Sequence, residues 1–228
     1  MIRRLIILLL IVGCGIFEED ENSNAITGKV INQDGEPIQD ASIVIDYNYI
    51  PENTETSCNP SIAVQLGMPQ DGYLNLWIED YCSLDTIKIC SDGYASAGYH
   101  SCSIDTLKNG KQLYEGIYRA RTITGGYNNA VELALLRLDH SCHTKESIAP
   151  LVSTNEIGEF IINQDCLPFN YQDEIVTPQN PDGTGELFTI TRNIRICAYS
   201  DLGYNCSDTL YVSANEGINT TITITNPL

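Results

Sequence analysis

Two kinds of hydrophobic pattern occupy this chain, and they divide it near residue 25. At the N-terminus Arg3 and Arg4 precede an unbroken apolar run over residues 5–12. From residue 26 onward the apolar positions come in short runs instead, mostly with every second residue hydrophobic and rich in Ile, Val, Thr and Tyr. These runs predict strands over 26–31, 41–47, 74–79, 86–90, 132–138, 159–162, 188–191, 194–199, 209–212 and 220–225. Asp-Gly, Asn-Pro and Gly-Gly pairs punctuate them. No stretch after residue 25 sustains a helical period. Many short strands at near-regular spacing predict an all-β fold of small β-sandwiches.

The N-terminal run is too short to span a bilayer, which takes about 20 apolar residues. With its two arginines it has the form of an export signal. Ile11-Val12-Gly13-Cys14 resembles the lipobox of bacterial lipoproteins, in which small residues precede a cysteine that is lipidated and becomes the new N-terminus. The resemblance implies a signal peptide over 1–13, several acyl chains on Cys14, and a protein anchored to the membrane without spanning it. Residues 14–25 then form a tether. Glu18, Glu19, Asp20 and Glu21 make it a solvated acidic segment, and they also resemble the surface-export signals of some Bacteroidetes-type lipoproteins. The expected location is the cell envelope, at the outer membrane, facing either the periplasm or the exterior.

Charge narrows the partners. The chain carries 12 basic and 30 acidic residues; without Arg3 and Arg4 the balance is 10 against 30, a net charge of −20. Phosphate backbones bind through Lys and Arg, so nucleic acid is excluded, as is simple adhesion to anionic head-groups. A protein or glycan partner is expected instead.

Of nine cysteines, Cys14 is assigned to lipid. The remaining eight (Cys58, Cys82, Cys90, Cys102, Cys142, Cys166, Cys197 and Cys206) form an even set in an exported chain and point to disulfides. Eight cysteines allow 105 pairings. Local spacing predicts Cys197 with Cys206 across a hairpin and Cys82 with Cys90 across a folded-back segment. No Cys-x-x-Cys pair supports a zinc site.

Two resemblances organise the rest. The stretch Ile26-Thr27-Gly28-Lys29-Val30, Asp34-Gly35-Glu36-Pro37 and Ala41-Ser42-Ile43-Val44-Ile45 is a strand, a tight turn and a second strand. It resembles the opening of the carboxypeptidase-regulatory-like domain, a transthyretin-like sandwich. That family's Thr-x-x-x-Gly-x-Phe motif normally follows within a dozen or so residues. Here it stands as Thr154, Gly158 and Phe160, about a hundred residues late. The intervening stretch has its own order: Asn59-Pro60, an apolar strand, Gly98-Tyr99-His100, Ile104-Asp105, and Glu115-Gly116-Ile117-Tyr118. It resembles the Ig-like domain of the flagellar hook-capping protein, with Ile104 in place of the motif tryptophan and Cys102 in place of an apolar residue. Together they imply a split sandwich, 26–54 and 147–226, with a second sandwich, 56–138, inserted in one of its loops.

Chemistry is sparse. His100 falls where the hook-cap-like motif places a structural histidine. His140-Ser141-Cys142-His143 offers metal-ligand residue types without the spacing of a known metal helix, and no Gly-x-Ser-x-Gly elbow occurs. The acidic loops 32–36 and 180–186 hold oxygen ligands, but turn chemistry explains their Asn, Asp and Gly equally well. No metal, cofactor or catalytic residue is assigned, and a hydrolase would have to reside in the long segment 163–193. Thirteen tyrosines stand against one tryptophan, Trp77. The expected function is a non-enzymatic envelope scaffold or binding module. The alternative is a glycan- or peptide-capturing surface lipoprotein beside an outer-membrane transporter, signalled by exposed Tyr and Trp77 clustered on one face.

Overall fold

The computed structural model describes residues 24–50, 56–60, 62–104, 107–136, 138–167, 175–178, 187–213 and 216–225. Cys14, the acidic tether and the loop 180–186 lie outside them, as does much of the segment 163–193. The fold is all-β.

Two strands open the chain, β1 (Ala25–Asn32) and β2 (Ser42–Ile50). Eight follow in the middle: β3 (Ile62–Met68), β4 (Gly72–Asp80), β5 (Thr86–Ala95), β6 (Gly98–Ile104), β7 (Leu107–Lys108), β8 (Lys111–Gln112), β9 (Gly116–Thr124) and β10 (Tyr127–Leu135). The chain closes with β11 (Val152–Ser153), β12 (Glu159–Asn163), β13 (Ile175–Pro178), β14 (Leu187–Ser200), β15 (Gly203–Cys206), β16 (Leu210–Tyr211) and β17 (Ile218–Ile224).

The first two and last seven strands form two sheets. One has the order β12-β1-β17, with β1 antiparallel to β12 and parallel to β17. The other runs β11-β2-β14-β13, with β15 and β16 also on β14. Between them Ile26, Val30, Ile43, Ile45, Phe160, Ile162, Ile194, Ile196, Ile222 and Ile224 form a buried apolar core. We call this sandwich the frame. The segments 188–191 and 194–199, expected as two strands, are one strand of 14 residues whose register against β2 shifts between Ile190 and Ile194. That irregularity, with Asn193 inside it, is why the pattern reads as a break.

The motif that arrives late in sequence completes the first strand. Phe160 is paired with Gly28, and a Cβ on Gly28 would clash with the ring. Glycine is therefore the residue that lets the ring lie across β1. Gly158 adopts φ +76° with Val30 O close beneath it. Thr154 Oγ1 donates to Ile38 O (2.7 Å) and accepts from Ala41 N (2.9 Å). Asn32 Oδ1 accepts from the amides of Asp34 and Glu36 (both 2.9 Å), so its oxygen serves the turn.

The middle strands build the insert. A four-stranded antiparallel sheet, β10-β9-β4-β5, packs over the pair β3-β6. Leu74, Leu76, Ile78, Tyr118, Ala120 and Leu135 from the larger sheet meet Ile62, Met68 and Cys102 in the core. A third apolar cluster joins insert to frame, with Val44, Cys197 and Tyr199 on the second face of the six-stranded sheet against Tyr114, Leu138 and Ile148.

The eight cysteines from Cys58 to Cys206 all pair. Cys197–Cys206 forms as expected, between directly opposed residues of β14 and β15. The expected Cys82–Cys90 bridge does not form. Cys82 joins Cys166, and Cys90 joins Cys102. Cys90 faces the insert's core, where β6 presents Cys102, whereas Cys82 sits in the turn after β4 that abuts the frame. Cys58–Cys142 closes the neck of the insertion, beside a hydrogen bond from Asp139 N to Ser57 O (2.9 Å).

Candidate functional site

Two polar constellations stand out, one sealed and one open. The sealed one lies where insert meets frame. Asp80, 4% exposed, accepts from Cys82 N (2.8 Å) and Ser83 N (2.9 Å) and from the Tyr114 hydroxyl. The Tyr118 hydroxyl donates to Tyr114 O (2.8 Å). His140 Nδ1 lies 2.7 Å from the Tyr199 hydroxyl, and Nε2 lies 3.7 Å from Glu115 Oε2. Burial, then the neighbouring carboxylates, raises the ionisation of Tyr47. Burial likewise raises Tyr114, Tyr118 and Tyr199 above the ordinary phenol range. Burial therefore keeps these phenols protonated, and Tyr114, Tyr118 and Tyr199 donate their hydroxyls to Asp80, Tyr114 O and His140 O. Of these bonds only those of His140 with Tyr199 reach a frame strand; the Asp80–Tyr114 bonds form a polar latch inside the insert, on the side that faces the frame.

The histidines singled out in the sequence do not converge on a metal. His140 and His143 bracket Cys142, but its sulfur is bonded to Cys58. His143 Nε2 meets Cys58 O (3.0 Å), and His100 Nε2 meets Ser96 O (2.8 Å). Asp46, His140 and Cys197 also come close together, as do Cys58, Asp139 and Cys142. Each trio includes a half-cystine, which has no thiolate to offer a metal.

The open constellation stands on the outer face of the insert's larger sheet. In β4 the even positions Leu74, Leu76 and Ile78 are buried, so the odd positions Tyr73, Asn75 and Trp77 face away from that core. Across the ladder Tyr73 opposes Tyr94, Asn75 opposes Asp92, and Trp77 opposes Ile89. An aromatic rung, a polar rung and a second apolar rung thus follow one another. The ladder skips one residue of β5 at Cys90 and one at Ile87. Such bulges re-aim side chains and occur often beside binding sites. Between these rungs lies a groove of about 200 Å³, lined by Asn75, Trp77, Thr86, Ile89, Ser91 and Asp92.

Its walls are held by neighbours on the same sheet face. Trp77 Nε1 donates to Glu79 Oε2 (3.2 Å). Glu79, 6% exposed, also receives Arg121 Nε on Oε1 (2.7 Å), with Arg119 Nη1 3.8 Å away. Arg119 in turn lies over the Tyr81 ring, 4.7 Å from its centroid. At the other end the Tyr73 hydroxyl donates to Asp92 Oδ1 (2.8 Å), a bond that also raises the phenol's ionisation. The Asn75 side-chain oxygen is buried at the groove and has no hydrogen-bond partner. Large apolar residues remain open beside it, with Tyr73 53%, Ile89 65% and Tyr94 79% exposed.

Trp77 was singled out in the sequence; Asn75, Ser91, Asp92 and the Glu79–Arg121 support were not. Their signal was present in the odd-numbered polar and aromatic positions of β4, but the β5 partners depend on a register that two bulges displace. Comparison of the chain with known protein families, characterised proteins and solved structures finds no match.

Proposed function

We propose that the chain is a lipid-anchored ligand-capture protein of the bacterial envelope. The observation that carries this reading is the clustering of Tyr73, Trp77, Ile89 and Tyr94 on one open sheet face around a groove with polar groups at its floor. A polar scaffold surface gains nothing from apolar side chains left in water, whereas capture sites combine such anchors with a few placed polar groups. In this reading Cys14 bears the lipid, the acidic residues between it and β1 are the tether, and the frame holds the insert away from the membrane. Among the described residues no helix is long and apolar enough to cross a membrane. The roles of Gly28, Thr154, Gly158 and Phe160 support a frame of the carboxypeptidase-regulatory-like kind. The chemistry is binding, with no catalytic step assigned.

Protease shaving of intact cells tests it. Cleavage of the ectodomain on intact cells, together with loss of membrane association in Cys14→Ser, is the expected result. Protection until lysis overturns surface capture and leaves a periplasmic scaffold.

A further inference from the structure

The groove on the insert is small, partly aromatic, and furnished with uncharged or acidic polar groups. Its volume of about 200 Å³ falls below the range of about 300–1,000 Å³ typical of drug-sized ligands, so it admits one ring-sized unit at a time. Trp77 forms an apolar wall whose indole N–H is already spent on Glu79. Its ring therefore offers surface rather than a donor. Arg121 and Arg119 are both drawn to Glu79, so neither is left to bind an anion. Asp92 uses Oδ1 for Tyr73, and its second oxygen is an acceptor on an exposed side chain. Asn75 turns about a soft terminal torsion, so its carboxamide presents either an acceptor or two donors. A buried polar atom without a partner is costly, and this one belongs to a side chain that lines the groove.

From this geometry we infer that the groove binds a neutral saccharide, one pyranose ring packing its C–H face on Trp77 while its hydroxyls engage Asp92 and Asn75. This rests on the capture reading above and names its ligand class. Sugars are the ligands that present an apolar face and a rim of hydroxyls on one small ring, which is the pairing this site presents. Polyanions are disfavoured by Asp92 and by the net charge of −18. An extended peptide gains affinity by adding to a sheet edge, but here the lining is side chains on a sheet face. Tyr73 and Tyr94 stand one aromatic rung further along, about 13 Å from Trp77 at four residues of strand rise. A chain of several sugar units lying along β4 therefore meets apolar, polar and apolar surface in turn.

The lone tryptophan makes the test direct, because all indole emission comes from Trp77. The full chain, oxidised and held in a non-glycoside detergent, is titrated with neutral oligosaccharides of glucose, mannose, galactose and N-acetylglucosamine, and separately with a mixed peptide pool. The expected result is a saturable change in Trp77 emission with at least one sugar series, insensitive to salt. Asp92→Ala and Asn75→Ala should each weaken it by about tenfold or more, with unchanged melting temperature. Trp77→Ala, followed by affinity electrophoresis, should abolish retardation. A response to peptides and none to sugars at millimolar concentration overturns the saccharide but leaves capture standing. No response to either overturns the groove as a binding site. Sugar binding by a protein that shaving finds protected would uphold this inference while overturning the surface location.

Discussion

The frame and the insert are both antiparallel-rich sandwiches, yet they hold together differently. Among the described residues the main cluster holds eighteen buried apolar residues, sixteen of them from the frame with Ile117 and Leu136 added by the insert, whereas the insert's own core has ten, one of them half of a disulfide. Small domains bury a smaller fraction of their surface, and staples commonly supply what the core lacks. The insert is accordingly tied three times: Cys90–Cys102 across its two sheets, Cys58–Cys142 at its neck, and Cys82–Cys166 to the frame. The frame's own bridge, Cys197–Cys206, links neighbouring strands that already pair. The comparison teaches that covalent bonds here compensate for a thin core, leaving one face of the insert's sheet free for exposed aromatics.

Removing the long bridges should separate the two units most strongly. Cys82→Ala with Cys166→Ala opens a loop closed over 84 residues, worth about 4.5 kcal/mol of chain entropy. Calorimetry should then show the insert melting before the frame; a single unchanged transition would mean that the apolar contact of Tyr114 and Leu138 with Val44 and Tyr199 couples them without the bridge. Cys90→Ala with Cys102→Ala, closing only 12 residues, should cost about 3 kcal/mol. In limited proteolysis the cuts should fall in the insert and spare the frame. Cleavage spread evenly over both would erase the distinction drawn here.

The latch is expected to contribute less. Tyr114→Phe takes a donor from the buried Asp80 carboxylate and should cost about 1.5–3 kcal/mol in denaturant melts, a loss that Asp80→Asn in the same background should partly restore. Smallest is the pH effect at the neck. Burial lowers the ionisation of His143 below the ordinary histidine value, so the folded protein binds fewer protons there than the unfolded chain. Its contribution is present above about pH 6.5 and fades as pH falls through and below that value. Melting temperatures at about pH 7.5 and 5.5 should differ less in His143→Gln than in the wild type.

Much of this was legible in the residues. Alternation in 26–31, 41–47 and 74–79 identified strands, and Asp34-Gly35 identified the turn. Thr154, Gly158 and Phe160 pointed back to β1 across the intervening hundred residues. The Cys82–Cys90 expectation failed because proximity in sequence says nothing about side-chain direction: Cys90 points into the insert's core, while Cys82 lies in a turn against the frame. The groove was half legible. Trp77 and its odd-numbered neighbours mark a polar face of β4, but the ladder that sets Asp92 opposite Asn75 runs through bulges no local pattern announces.

What the sequence by itself determined is therefore what short-range physics controls. Side-chain period selects strand over helix, Asp-Gly and Asn-containing turns set chain reversals, and a nine-residue separation brings Cys197 to Cys206. Tertiary structure alone decided the partners that lie far apart: Cys58 with Cys142, Cys82 with Cys166, the Asp80–Tyr114 latch, and the rungs of the groove. Those pairings close loops whose ends have no local preference for one another, so only the packing within and between the sandwiches selects them.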